Sequence, residues 1–392
     1  MKKIVGIIAA AALATSAFAE VNIGSWNRAV FEPIQYDGDT LRSNTGASWG
    51  VGNAGTCRSG LSFSASTENA GINIDVNAEG GVGTGDNALV WVKPVEIFTV
   101  KFGKINNISG RLDHCFGTWD RSRLNDLVQR GEGFAGVDRL RDTIGAEFTL
   151  TPVEGLVIDY NANFNKNTTG NHAYEVLWEN ASTMVGYKAD FGFIRAIVNG
   201  AKADFYSKKD TDTKPAAVIA VGADITAVEN LTLKVGASVP TLLKKAKSAI
   251  LFGVGADYSL DALTLHGQTE LGIRAKSVND DGDFDIGAFT AQVGAGVDYA
   301  FSDAWKIVTD VRFNTFSNVT KDGKDLKYED PAFGAYIGLQ QSLSNATFDF
   351  GFQFGKRALK NDYKDVKDKD GNITAYGDSF QFAVPLTITA SF

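Results

Sequence analysis

The last thirteen residues, Phe380-Gln-Phe-Ala-Val-Pro-Leu-Thr-Ile-Thr-Ala-Ser-Phe392, decide the fold of this chain. Apolar residues occupy every second position from Phe380 to Phe392, and the positions between them are small or polar. Because side chains on a β-strand alternate between its two faces, this segment has one continuous hydrophobic face. Such a strand is buried in a sandwich of two sheets or faces lipid, and the rest of the chain decides between the two.

The same alternation recurs along nearly the whole chain. Examples are residues 72–79, 156–164, 263–274 and 348–355, in which apolar residues alternate with Asp, Asn, Gln, Glu or Gly. Each segment has about the 9 to 11 residues that a tilted strand needs to cross the hydrocarbon of a bilayer. No stretch after residue 20 carries a long helical period, so the sequence predicts an all-β transmembrane antiparallel barrel.

The N-terminus indicates export. Lys2 and Lys3 precede an apolar run over residues 4–13, and Ala17-Phe18-Ala19 supplies small residues before a cleavage site. These features predict a signal peptide over residues 1–19 and a single barrel domain over residues 20–392. Lipid offers no hydrogen-bond partner to the backbone, so only helices and closed barrels span a membrane. An exported chain without a long apolar segment therefore enters a membrane only as a closed barrel.

Composition agrees with a barrel that has a wet interior. The chain has 42 glycines and a mean hydropathy of -0.09, which averages apolar outward positions with polar inward ones. The formal net charge of -8 argues against nucleic acid as a partner. Glycine-rich inward faces, for example at Gly253, Gly294 and Gly351, are expected to leave room for water.

Short turns alternate with longer polar loops, as they do in barrels that span a membrane. The predicted short turns are Thr67–Ala70, Lys93–Val95, Thr151–Gly155, Asp190–Gly192, Thr226–Asn230, Ser259–Ala262, Phe301–Ala304 and Ser342–Asn345. Eight such turns with a strand at each terminus give about 18 strands, but the region from Gly24 to Gly60 is hard to divide. We therefore predict 16–18 strands.

The third long loop, from Lys104 to Arg141, is the longest and carries a helix-like segment from Trp119 to Arg130. With its signal peptide, strand rhythm, long third loop and terminal Phe392, the chain resembles the general bacterial porins. The signal peptide and first strand also resemble spirochaete (treponemal) porin-type outer-membrane proteins. The resemblance implies a third loop folded into the lumen and Phe392 as the C-terminal assembly signal. It also implies outer-membrane lipid and the barrel-assembly machinery as partners, and a possible homotrimer.

A loop folded inward places its charges at the narrowest point of the pore, where a partly desolvated site screens them poorly. Six third-loop residues are the candidates for this constriction: Arg111, Asp113, Asp120, Arg121, Arg123 and Arg130. Four residues on predicted inward faces are the candidates for the opposing wall: Lys101, Lys306, Asp310 and Arg312. The alternative is a solvated surface loop whose charges pair with one another.

Cys57 and Cys115 both fall in predicted outer loops of an exported protein, where disulfides persist. A disulfide between them would tether the third loop to the first. Two free thiols are the alternative, because a sequence does not reveal proximity. We predict the disulfide.

The predicted function is an outer-membrane channel for the passive diffusion of ions and small hydrophilic solutes. Inward carboxylates outnumber inward bases, which favours a mild cation preference: Asp75, Glu79, Glu147, Asp159, Asp224, Asp257, Glu270, Asp298 and Asp349. The alternative is a surface adhesin or structural protein that uses the barrel as a scaffold for binding loops. His114, His172 and His266 are spread along the chain and no catalytic order stands out, so we predict no enzyme, no metal and no cofactor.

Overall fold

The computed structural model describes most of the chain between Glu20 and Phe392. The described residues are 20–36, 41–46, 58–78, 81–107, 140, 142–163, 178, 181–201, 216–240, 250–278, 284–315, 319–321, 324–326, 332–356, 366–367, 373–375 and 380–392. The predicted signal peptide, residues 1–19, lies outside them. Among the described residues, no helix has the length and apolar character needed to cross a bilayer.

Nearly all described residues belong to strands, and every pairing between strands is antiparallel. In chain order the strands are β1 (Glu20–Tyr36), β2 (Leu41–Gly46), β3 (Arg58–Ser66), β4 (Ala70–Ala78), β5 (Val82–Val95), β6 (Phe98–Ile105), β7 (Thr143–Leu150), β8 (Leu156–Asn163), β9 (Ala181–Ala189), β10 (Gly192–Ala201), β11 (Ala216–Ile225), β12 (Leu231–Pro240), β13 (Ile250–Leu260), β14 (Leu263–Val278), β15 (Phe284–Ala300), β16 (Trp305–Thr315), β17 (Val319–Lys321), β18 (Lys324–Leu326), β19 (Ala332–Ser342), β20 (Ala346–Lys356), β21 (Val366–Lys367), β22 (Ile373–Ala375), β23 (Phe380–Ala383) and β24 (Leu386–Ser391). Twenty of these segments form one sheet, while β17–β18 and β21–β22 form two small hairpins.

The large sheet closes on itself around β1. On one side β1 pairs with β3 and on the other with β24, so that Trp26 pairs with both Gly60 and Ser391. Two passes of the barrel consist of two segments each: β2 and β3 follow one another along β1, and β23 and β24 follow one another between β20 and β1. The twenty segments therefore make a closed antiparallel barrel of eighteen strands, within the 16–18 that the sequence predicted.

Eight short turns connect the strands at one end of the barrel, and seven of them lie where the sequence places them. The exception is the turn between β5 and β6. Strand β5 continues to Val95 and the chain turns at Glu96 and Ile97, so the prediction of a turn at Lys93–Val95 was wrong by about two residues. Pro94 has no backbone N–H, and the β5–β6 register shifts between Val92 and Val95, but the pairing resumes at Val95 before the chain turns.

The outer face of the barrel carries a belt of large apolar side chains. Exposed members of the belt are Val90, Phe102, Val185, Ile194, Val221, Phe252, Val297, Val311, Ile337, Phe352 and Ile388. Near the short-turn end, the aromatic residues Tyr258, Tyr299 and Phe191 are exposed as well. An apolar belt on the outside of a closed barrel is the surface that hydrocarbon solvates.

Inward glycines allow aromatic rings to lie against the barrel wall. The ring of Tyr336 lies over Gly338 and Gly351, and the indole of Trp26 lies over Gly60, so closely that a Cβ at any of these glycines would overlap the ring. The expectation that glycine leaves room for water is therefore wrong at Gly351. At Gly351 the ring of Tyr336 occupies this space and lies against the barrel wall.

The terminal residue closes the barrel directly. The backbone N–H of Ser25 donates to the carbonyl of Phe392 at 2.7 Å, and the N–H of Phe392 donates back to Ser25 at 2.9 Å. These two bonds extend the β1–β24 ladder to the last residue of the chain. The assembly-signal role of Phe392 stays a prediction.

A charge on the outer belt should destabilise the barrel. Val311 is 52 % exposed on the outer face of β16, six residues from the short-turn end of that strand. We expect Val311→Arg to lower the free energy of unfolding in phospholipid bilayers by about 2–4 kcal/mol, because it moves a cation into hydrocarbon. Urea titration monitored by tryptophan fluorescence measures this. Val311→Leu is the control, and an equal loss in both variants would contradict a lipid-facing position.

Candidate channel lumen

The inward face of the barrel is polar on strand after strand. Its buried polar and charged side chains include Arg28, Glu32, Glu147, Asp159, Asn161, Arg195, Gln268, Glu270, Asp298, Asp310, Arg312, Gln340, Asp349 and Gln353. Eight of the nine predicted inward carboxylates lie on this face, and Glu79 lies outside the described residues. The strand alternation therefore sorts apolar side chains outward and charged side chains into the lumen.

Lys101, a predicted wall residue, forms an ion pair across β6 and β7. Its Nζ donates to Oε1 of Glu147 at 2.6 Å, and the two residues are direct partners in the β6–β7 register. The other carboxylate oxygen of Glu147 accepts from Nδ2 of Asn107 at 2.8 Å. A charged and a neutral donor together satisfy this buried carboxylate.

Lys306, a second predicted wall residue, ends a row of titratable groups on four adjacent strands. Its Nζ lies 3.3 Å from Oδ2 of Asp298, whose other oxygen lies 3.7 Å from Nε2 of His266. Nδ1 of His266 lies 2.6 Å from Oδ1 of Asp257. The sequence predicted Lys306 and the two carboxylates as inward, but it did not identify His266 as the group between them.

A third set joins β10, β11 and β12. Nη2 of Arg195 donates to Asp224 at 3.2 Å, and Nζ of Lys234 lies 3.7 Å from the other oxygen of that carboxylate. The guanidinium of Arg195 also lies 5.5 Å from the centroid of the Phe193 ring, within the range of a cation–π contact. Sequence analysis did not identify Arg195 or Lys234 as inward bases. The available signal was the inward position of Asp224 and the period-2 alternation of the two strands on either side of it.

The other two predicted wall residues, Asp310 and Arg312, are placed deeper in the lumen. They lie two positions apart on the inward face of β16, and each is 6 % exposed. By comparison, Lys306 is one residue from the short-turn end of the same strand. All four wall candidates thus face inward, but at two different levels.

The ion pairs lie close to the short-turn mouth, and we call them the charged girdle. Its members are Lys101, Glu147, Arg195, Asp224, Lys234, Asp257, His266, Asp298 and Lys306. Each lies within three residues of the short-turn end of its strand, which is at most about 10 Å of strand length. The girdle surrounds the mouth along β6–β7 and β10–β16.

The described ends of the third loop attach to the inner wall. Leu140, at the end of the loop, is 2 % exposed and packs with Met184, Ile197 and Ala220, which face inward from β9, β10 and β11. At the start of the loop, the N–H of Asn107 donates to the Asp142 carboxylate at 2.8 Å. Leu140 therefore inserts into a small apolar patch of an otherwise polar wall.

The remaining candidates lie outside the described residues. They are Arg111, Asp113, Asp120, Arg121, Arg123 and Arg130 of the third loop, together with Cys57 and Cys115. The constriction and the disulfide between Cys57 and Cys115 stay predictions.

No protein-family model matches the chain, and no curated protein matches it. Among solved structures, it is similar to the outer membrane protein opdK of Pseudomonas aeruginosa, with a TM-score of 0.51, 9 % identity, and 95 % of this chain and 98 % of that chain covered. It is similar to an anion-selective porin from Comamonas acidovorans, with a TM-score of 0.48, 12 % identity, and 95 % and 100 % covered. OpdQ of Pseudomonas aeruginosa gives a TM-score of 0.48, 10 % identity, and 95 % and 98 % covered.

These likenesses concern the fold, because the identities are low. The closed antiparallel barrel and its apolar outer belt place the chain in a bacterial outer membrane, as predicted. The resemblance to spirochaete proteins stays a prediction.

The Leu140 contact predicts how firmly the third loop is held. We expect Leu140→Ala to weaken the attachment by about 2–3 kcal/mol, the usual cost of removing a buried leucine side chain. Trypsin cleavage of the folded protein after Arg121 to Arg130 should then be at least tenfold faster, since cleavage follows the population of the open loop. Peptide mass spectrometry over time gives this rate.

Leu343→Ala is the control, because Leu343 is 54 % exposed in a short turn. Unchanged cleavage in the Leu140 variant would contradict an attachment of the loop through this residue.

Proposed function

We propose that this protein is a water-filled channel of the outer membrane, through which ions and small hydrophilic solutes diffuse passively. The polar inward face of an eighteen-stranded barrel carries the proposal. Eight strands already give an interior that wall side chains just fill, and sixteen to eighteen leave an aqueous channel. Polar and charged side chains on such a wall interact with water inside the lumen.

The mechanism needs no chemical step. The width of the lumen and the inserted third loop set the size limit, while fixed charges bias which ions enter. The charged girdle lies at the short-turn mouth, where every solute crossing the barrel passes it. No enzymatic activity is part of the proposal.

The balance of inward charge favours cations. The described inward acids are Glu32, Asp75, Glu147, Asp159, Asp224, Asp257, Glu270, Asp298, Asp310 and Asp349, and the described inward bases are Arg28, Lys93, Lys101, Lys188, Arg195, Lys234, Lys306 and Arg312. His266 adds charge only when it is protonated. The third-loop arginines act in the opposite direction, so the proposed cation preference is mild.

The proposal includes the partners that the sequence suggested: outer-membrane lipid around the belt, the barrel-assembly machinery during insertion, and a homotrimer as the assembled state. The alternative is an adhesin or structural protein with a closed lumen, whose outer loops bind a partner.

Planar-bilayer recording of the refolded chain, residues 20–392, tests the proposal. Discrete and stable conductance steps are expected, and a KCl gradient should give a reversal potential with the sign of a mild cation preference. A correctly folded barrel that gives no steps would overturn the channel proposal and favour the scaffold alternative.

Asp75 allows a sharper test of selectivity, because among the described residues its carboxylate accepts from two neutral residues, Ser62 and Asn87. Within that part of the chain, no base forms an ion pair with it. We expect Asp75→Asn to lower the potassium-to-chloride permeability ratio about 1.5-fold in 0.1 M KCl, where screening acts over roughly 10 Å. Asp190→Asn, in a short turn, is the control, and an equal effect there would place the controlling charge outside the lumen.

A further inference from the structure

His266 lies between two carboxylates on the inner wall and meets them at different distances. It is the direct register partner of Asp257 on β13, and its Nδ1 lies 2.6 Å from Oδ1 of that residue. Its Nε2 lies 3.7 Å from Oδ1 of Asp298 on β15. The shorter distance is that of a strong hydrogen bond, whereas the longer one exceeds the usual length of a hydrogen bond.

The short contact assigns the proton of the neutral imidazole to Nδ1. An ionised carboxylate accepts hydrogen bonds and does not donate them, so Nδ1 donates to Asp257, and Nε2 carries a lone pair. Within the part of the chain that the structure describes, Nε2 is buried and makes no hydrogen bond. A carboxylate that accepts from one ring nitrogen is the usual partner of a histidine that binds a metal through the other nitrogen.

The distance between Nε2 of His266 and Oδ1 of Asp298 suits an ion that both atoms share. Zn²⁺ binds such atoms at about 2.0–2.2 Å, so they lie roughly 3.4 Å apart at a tetrahedral angle and roughly 4.2 Å apart on opposite sides of the ion. The observed 3.7 Å falls between these limits. Nζ of Lys306 lies 3.3 Å from Oδ2 of Asp298, which is the oxygen that the histidine does not face.

The wall beside the imidazole is negative and has little side-chain bulk. Gly296 is the register partner of His266 on β15, and a Cβ there would lie 3.6 Å from Cδ2 of His266 and 3.1 Å from Oδ1 of Asp310. Asp310 therefore adds a third carboxylate close to the imidazole, after Asp257 and Asp298. These carboxylates favour a cation, and the glycine leaves room for water around it.

We propose that His266 and Asp298 bind a divalent transition-metal ion at the short-turn mouth of the lumen, with Nε2 and Oδ1 as the protein ligands and water in the other positions. An imidazole with a carboxylate suits Zn²⁺ and Cu²⁺ better than Ca²⁺ or Mg²⁺. Asp257 is a positioning residue, because it contacts the imidazole and not the ion.

The site has two protein ligands and is open toward the lumen. Among the described residues, no three His, Cys, Asp or Glu side chains are grouped so that they could hold a metal ion together. The sequence-based expectation of no metal missed this pair because its two ligands meet only through the β14–β15 register. Metal binding goes beyond the proposed channel function and does not depend on it.

Calorimetric titration with ZnCl₂ in a nonionic detergent tests the proposal. The refolded chain, residues 20–392, carries His114→Asn, His172→Asn, Cys57→Ser and Cys115→Ser, so that His266 is its only histidine and no thiol competes. We expect this chain to bind Zn²⁺ through His266, and the further change His266→Asn to remove that bound ion while the far-ultraviolet circular dichroism spectrum stays unchanged. Equal Zn²⁺ binding with and without His266 would overturn the proposal.

Two aspartate variants in the same background separate the ligand from the positioning residue. Asp298→Asn should also lose the bound ion, whereas Asp257→Asn should keep it with an affinity about 10- to 100-fold lower, as for other residues that orient a ligand. Asp159→Asn is the matched control, because Asp159 is a buried inward carboxylate on β8, remote from this site, and it should bind Zn²⁺ like the parent chain. An equal loss in Asp159→Asn would contradict ligation by Asp298.

The order of affinities identifies the kind of site. Cu²⁺ should bind more tightly than Zn²⁺, and Mn²⁺ more weakly than either, because an imidazole ligand follows this order. Calcium binding as tight as that of Zn²⁺ would overturn the proposal in favour of a site made of oxygen ligands alone. Calorimetry needs no open pore, so a missing Zn²⁺ signal contradicts the metal site and leaves the channel proposal to the conductance experiment.

Discussion

The pairing of β1 with β24 is the interaction on which the rest of the structure depends. Hydrocarbon offers no partner for a backbone N–H or C=O, so an open sheet edge within the membrane is not tolerated. The ladder from Trp26↔Ser391 to Phe31↔Leu386, extended by the two Ser25–Phe392 bonds, removes both edges at once. Once the sheet is closed, each strand has one face toward lipid and one toward the lumen, and the period-2 sequence pattern follows.

Closure also explains why the fold could be predicted from the sequence and the charge pairs could not. The alternation and the turn residues act locally, so seven short turns and the inward faces were predicted correctly. The contact between His266 and both Asp257 and Asp298 depends on the registers of two separate hairpins. A shift by one residue in either hairpin would move the partner to the opposite face.

The third loop marks another limit of sequence reasoning. Its charges were the visible signal, yet the described contact that holds its end to the wall is apolar. Leu140 is one leucine among many, and Met184, Ile197 and Ala220 come from three different strands. Only the closed barrel brings these inward-facing apolar residues into one patch. The position of Leu140 therefore depends on wall residues that are remote from it in sequence.

The geometry of the charged girdle bears on selectivity. In the girdle, opposite charges meet between neighbouring strands, at 2.6 Å for Lys101–Glu147 and 3.2 Å for Arg195–Asp224, and not across the lumen. Two opposite charges so close together give an ion in the lumen the field of a dipole, which decreases faster with distance than that of a single charge. Charges with neutral partners, such as Asp75, keep the longer-range field. Selectivity therefore depends less on the number of charges on the wall than on which of them lack a compensating base.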